Sequence, residues 1–470
     1  MMPLHTTSSA QACAASTPSR WTPLARAATL VILSAMGTQA ARAENLMDLY
    51  QAARQYDATY LSAKAQAESV EFQAAQAHAL LRPSVNLQAS VTRNRLDSSI
   101  PATTSPLLGT VNYDTLSTVG KVGIAARQPL LNLSNSAKVD QAEQALEVAQ
   151  ADLKQAEDDL AVRVAQAYFD VLSAQDVLNT AQANKKALAE QLAAAKRSFD
   201  VGNATITDTR EAQARHDLAT AQEIAATNDL RVKRIALDQL VGRTDVKPNP
   251  LRTPVTLDTL APGQMDDWVS QSVNAPLVRK AEIGLKVAQL EVDKARANHL
   301  PTLDAVASAG RTQVDSNNSY TKSSSAPGNA GSIGLELNVP LYAGNAIQNK
   351  VREALRLQEK SGNDLDNARR SMSLATRQAF SGLQSGLAQV KAYEAAEASA
   401  KLALEATQLG YKVGVRINKD VLDAQTMLAS TQKDLFKARY DVIMASLKLR
   451  QASGTLKADD LVELNKLVAQ

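Results

Sequence analysis

Cysteine occurs once in the 470 residues, at Cys13, and phenylalanine only five times. A lone cysteine excludes an internal disulfide framework and any paired-cysteine metal or redox centre. Aromatic residues make up 4% of the chain. That scarcity argues against a compact core and for long helices that meet through small side chains. Between Asn135 and Asp200 there is neither proline nor glycine. After residue 43 no apolar run approaches the ~20 residues of a membrane-spanning helix, so any span there must be built from strands. Phosphate-binding loops, dinucleotide fingerprints and nucleophile elbows are missing. His78, His216 and His299 sit on separate segments with no ligand partner at helical spacing. The expectation is a protein that is not an enzyme, with no catalytic residue, cofactor or metal.

The amino terminus has its own logic. Arg20 and Arg26 precede the apolar run Ala27–Met36, and Ala41–Ala43 offers a small-residue cleavage site. Residues 1–43 therefore read as a secretory signal peptide cleaved after Ala43. The leader takes Cys13, Arg20, Arg26 and Arg42 with it, leaving 48 basic against 48 acidic residues. A neutral mature chain gives no bulk argument for nucleic-acid binding, which depends on neutralising phosphates.

What is present is a duplication. "FDVGNATITDTREAQ" (Phe199–Gln213) is echoed by "GYKVGVRINKDVLDAQ" (Gly410–Gln425), with Val201-Gly202, Asp208 and Ala212-Gln213 matched at one offset of 212. The first repeat is expected over 44–242 and the second over 264–454. A proline-rich linker, 243–263, separates them, and a tail, 455–470, follows. After an opening helix at 45–81, the first repeat should hold strands near 84–97 and 118–131 and long helices near 135–200 and 203–241. The second should hold strands near 302–314 and 332–342 and helices near 346–410 and 418–452. Leu146, Ala149, Leu153, Ala156 and Leu160, then Val164, Ala167, Val171, Ala174, Leu178 and Ala181, step by three and four as a coiled-coil seam does. Ile333, Leu335, Leu337, Val339 and Leu341 alternate with small or polar residues, as strands facing lipid on one side must. Polar loops, 98–117 and 315–331, separate the strand pairs.

Strands in lipid must close into a barrel, and four cannot; the smallest barrels use about eight. Several chains must pool their strands. The secretory leader and helices far longer than a membrane is thick then place the rods in the periplasm. A single-hairpin periplasmic adaptor and a soluble coiled-coil scaffold are the rival readings. The first lacks the second hairpin, and the second leaves strands and leader unexplained.

Glu44–Arg54, Phe199–Arg215 and Gly410–Gln425 closely resemble the TolC family of outer-membrane efflux and secretion ducts, and the duplicated plan does so over nearly the whole mature chain. The resemblance implies an α+β membrane protein of the Gram-negative outer membrane, embedded in its lipid. It implies a homotrimer with a twelve-stranded barrel, four strands per chain, continued by a periplasmic α-helical barrel and an equatorial belt that includes the tail. Implied partners are a periplasmic adaptor and an inner-membrane transporter of the ABC or RND type, serving tripartite efflux, type I secretion or both.

Asp420 and Asp423 are three apart on one helix and share a face. In a trimer they become stacked acidic rings, and the resemblance implies that they form the periplasmic constriction and bind cations there. It also implies a latch holding the mouth shut, Tyr411 and Arg416 bonding to Thr207 and Asp208. Gly202 and Gly414 mark the hairpin tips where the adaptor is expected to dock.

Overall fold

The computed structural model describes residues 45–100, 111–252, 257, 263–318, 322–324 and 327–468. The expected leader, 1–43, lies outside the described residues, as do half of the first polar loop and parts of the linker, the second loop and the tail. Two short helices open the described chain, α1 (Leu46–Tyr56) and α2 (Ala58–His78). The single helix expected over 45–81 is interrupted at Asp57, whose backbone is extended at ψ 113°. Its carboxylate accepts from the Tyr60 N–H at 2.8 Å and caps α2, a local bond that competes with helix continuation.

Strands β1 (Ser84–Ile100) and β2 (Val111–Leu131) follow, then α3 (Leu133–Asp200) and α4 (Ile206–Val241). After the linker come α5 (Met265–Gln271), α6 (Pro276–Ala297), β3 (Thr302–Asn318), β4 (Lys322–Ser324) and β5 (Gly328–Asn338). The long α7 (Ala346–Lys412), α8 (Asn418–Ala452) and α9 (Ala458–Asn465) complete it. No described helix is long and apolar enough to cross a membrane.

The sheet is antiparallel. β1 pairs with β2, β2 with β3, and both β4 and β5 lie along the far side of β3. It is four strands wide, and among the described residues the outer sides of β1 and β5 pair with nothing. Register puts Leu87 opposite Ile124 and Ile124 opposite Ala309 on one face. Val85, Val91, Val122, Ile333 and Leu335 extend that apolar face, and Ile333 is 90% exposed. The other face carries Asn86, Gln88, Ser90 and Thr92. Ser308 and Ser332, paired across β3 and β5, bond there through their hydroxyls at 2.9 Å. One greasy and one wet face is the pattern of a barrel wall.

β1 and β2 run to 17 and 21 residues, beyond the ~9–11 that a tilted membrane strand needs. They overrun the loop expected at 98–117, because pairing continues past the apolar belt. There Arg95 of β1 meets Asp114 of β2 at 2.8 Å.

α3 spans 68 residues and α7 spans 67, rods of roughly 100 Å at ~1.5 Å per residue. α3 runs beside α4, and α7 beside α8. The two repeats share one core at mid-length. Leu160, Val164, Tyr168 and Phe169 of α3 are buried with Leu237 of α4, Ile443 and Leu447 of α8, and Leu46 and Leu49 of α1. Phe169 stands edge-on to Tyr168 at 5.4 Å and tilts against Tyr440 at 6.0 Å. The expected seam on α3 buries Ala149, Leu160, Val164, Val171, Ala174 and Leu178. The helix also buries Ala161, Ala165, Tyr168, Phe169 and Leu172, because it packs against several helices and not one partner.

Candidate functional site

Both hairpins turn in the same way. α3 ends with Gly202 at φ +77° and α7 with Gly414 at φ +79°, left-handed positions that glycine occupies without strain. The closing bonds repeat at the offset of 212. Asn203 N–H donates to Ser198 O at 2.8 Å, as Val415 N–H donates to Gly410 O at 2.8 Å. Gly202 donates to Phe199 O at 2.9 Å, and Gly414 to Tyr411 O at 3.1 Å. Around these turns Val201, Ile206, Val413, Val415 and Ile417 are exposed, an apolar collar at each tip.

The following helices start differently. α4 opens with a capping box. Thr205 Oγ1 accepts from the Asp208 N–H at 3.2 Å, while the Asp208 carboxylate accepts from the Thr205 N–H at 2.9 Å and from its hydroxyl at 2.8 Å. At the head of α8, Ile417 stands where a capping side chain would. Asp420 instead places a carboxylate in the first turn, favoured by the helix dipole.

Arg416 reaches this carboxylate, its Nη1 lying 3.6 Å from Asp420 Oδ2. It does so by folding across Gly410, where an added Cβ would sit 2.8 Å from Arg416 Cγ. Any side chain at Gly410 therefore displaces the arginine. Within one chain the structure joins Arg416 to Asp420, and Asp208 to Thr205, and it does not join Tyr411 or Arg416 to Thr207 or Asp208. Thr207 is exposed and Tyr411 is half-buried.

Asp423 lies one turn on and is engaged twice. Lys419 Nζ donates to Oδ2 at 2.8 Å, and Arg215 Nη2, from α4 of the other hairpin, donates to Oδ1 at 2.7 Å. The Lys419 hydrogen bond, aided by the charges of Lys419 and Arg215, holds the Asp423 carboxyl below its ordinary value. Two close cations favour the ionised form over the protonated one. In return, Lys419 is raised by its bond to Asp423 and by the charges of Asp423, Glu211 and Asp420.

Arg215, Lys419, Glu211 and Gly410 were not singled out in the sequence. The duplication carried part of the signal, since the offset that aligns Asp208 with Asp420 also aligns Glu211 with Asp423. Among the described residues, no group of three or more His, Cys, Asp or Glu is placed to hold a metal ion.

The sequence model of the family described as "Outer membrane efflux protein" matches residues 49–243 and 270–455. The chain is 33% identical over 442 residues to Outer membrane protein TolC of Vibrio cholerae serotype O1, covering 93% of this chain and 97% of that protein. It is 29% identical over 450 residues to the Proteases secretion protein PrtF of Dickeya chrysanthemi, covering 93% and 94%. Among solved structures, the outer membrane protein VceC of Vibrio cholerae superposes with a TM-score of 0.70 at 19% identity, covering 87% of this chain and 96% of that one. That last likeness is one of fold.

Proposed function

The chain belongs to the outer membrane efflux protein family, that of TolC, and on that premise we propose a gated conduit made of three copies. It is an outer-membrane exit duct for efflux and type I secretion. Three four-stranded sheets make a twelve-stranded barrel, and the long helices continue it as a tunnel through the periplasm. The observation that carries this is the sheet itself. It exposes an apolar face and, among the described residues, leaves both outer edges unpaired, and unpaired edges cannot persist in hydrocarbon. Joining β5 of one copy to β1 of the next satisfies every edge and leaves the polar face lining the lumen.

At the far end, Asp420 and Asp423 of three chains line a constriction, and Tyr411 and Arg416 of one chain latch onto Thr207 and Asp208 of its neighbour. Arg416 is half-committed to Asp420 at 3.6 Å and largely exposed. Exposed pairs of this kind are worth ~0–1 kcal/mol each, so a docking partner can exchange them. The apolar collars at Gly202 and Gly414 are the docking surface for a periplasmic adaptor, which couples the duct to an inner-membrane transporter of the ABC or RND type. The duct conducts passively.

The test is complementation. In a Gram-negative host lacking its own duct, the chain should restore toxin resistance and export of a type I substrate when its cognate adaptor and transporter are supplied. A host that stays sensitive and export-deficient, with the protein present in its outer membrane, contradicts the proposal.

A further inference from the structure

The Asp423 carboxylate is not bare. Both of its oxygens are occupied by cations of the same chain, Arg215 at 2.7 Å and Lys419 at 2.8 Å. Asp420, by contrast, has Arg416 at 3.6 Å, too long for a hydrogen bond. The two cations differ in what they tie together. Lys419 sits one turn before Asp423 on α8 and moves with it. Arg215 belongs to α4, so its bond crosses from the first hairpin to the second. It is also among the better-shielded ion pairs at the tip, with side chains 31% and 43% exposed.

The duplication does not supply this bond twice. At the offset of 212, Arg215 corresponds to Met427 and Lys419 to Thr207, whereas Glu211 corresponds to Asp423. Each copy keeps an acid at that turn, but the cross-hairpin cation exists in one copy only.

We infer that Arg215 is a gating and selectivity residue of this duct: it clamps the first hairpin to Asp423 and masks that carboxylate while the mouth is closed. The inference rests on the reading that Asp420 and Asp423 line the constriction. With Asp423 engaged on both oxygens, the Asp420 ring is the main cation-binding ring of the closed mouth. Parting the hairpins breaks the Arg215 bond and leaves Asp423 with Lys419 alone. The opening mouth therefore becomes more acidic and draws cations more strongly.

The experiment uses the trimer in planar bilayers with La3+ added on the periplasmic side. Arg215→Gln should raise single-channel conductance and lower the half-blocking La3+ concentration by roughly threefold to tenfold, on the scale of one exposed ion pair repeated in a ring. Arg215→Lys, which keeps the charge, should retain parental block. In an Asp423→Asn background, Arg215→Gln should change neither quantity. Parental conductance and block in Arg215→Gln, or an unchanged effect in the Asp423→Asn background, overturns the clamp. Asp420→Ala with Asp423→Ala separates the two levels. If that pair weakens block while Arg215→Gln is silent, only the clamp fails; if the pair leaves block unchanged, the constriction reading fails and the clamp with it.

Discussion

Tyr440 on α8 donates its hydroxyl to Asp176 Oδ2 on α3 at 2.6 Å, a bond between residues 264 positions apart that joins the two repeats. Asp176 is raised above its ordinary value, chiefly by burial, which the Tyr440 bond and the Arg439 charge partly offset. A carboxyl raised in the fold favours the native state fully below its unfolded value and loses that contribution as pH rises through the folded one. Tyr440→Phe removes the donor and leaves a carboxylate short of a partner. The expected loss is about 1–3 kcal/mol near neutral pH, read by denaturant unfolding of the detergent-solubilised protein. The deficit should shrink as pH falls through the raised folded-state value of Asp176, where the carboxyl is protonated without the hydroxyl's help. A deficit independent of pH contradicts the assignment.

Asp57 has the opposite sign. Arg163 grips it with both terminal nitrogens, at 3.0 and 2.9 Å, and that bond first, with the Tyr60 N–H, holds its carboxyl below the ordinary 3.8. Its contribution is therefore present above the unfolded value and is lost as pH falls through the folded one. Asp57→Asn keeps an acceptor for the cap and loses the ion pair; Asp57→Ala loses both. The alanine variant should be the less stable by about 1 kcal/mol, the worth of a helix cap. Equal melting of the two variants denies the cap its role.

At the tip, if Tyr411 and Arg416 latch onto Thr207 and Asp208 of a neighbouring chain as proposed, Tyr411→Phe with Arg416→Glu should raise conductance in planar bilayers, and Arg416→Glu also places an acid beside Asp420. Unchanged conductance removes the latch.

The tip glycines separate strain from contact, because a Cβ added at Gly202 or Gly414 meets nothing within 4 Å. Gly414→Val costs backbone strain alone, about 1–2 kcal/mol at a left-handed position, whereas Gly414→Asn tolerates it. Cross-linking to the adaptor should survive in the asparagine variant and fall in the valine one. Equal yields show that turn geometry does not govern docking.

The alternation of Ile333, Leu335 and Leu337 was legible because one sheet face must suit lipid and the other water, and these residues lie on β5. The upper reach of β1 and β2 was not, because 98–100 and 111–117 look like loop in composition while backbone pairing continues to Ile100 and Val111. A three-four seam reveals the contact of α3 with one neighbour, so Tyr168 and Phe169, buried against several elements, stayed hidden. Asp420 and Asp423 were legible as a pair because they lie three apart on one helix, α8. Arg215 was not, being 208 positions from the carboxylate it holds.

Weighing the intact complex by native mass spectrometry, after gentle release from outer membranes into detergent, tests the shared-barrel account most directly. Three copies of the processed chain per particle is the result it demands. A particle holding a single chain would leave two sheet edges open in lipid and contradict the account at its root.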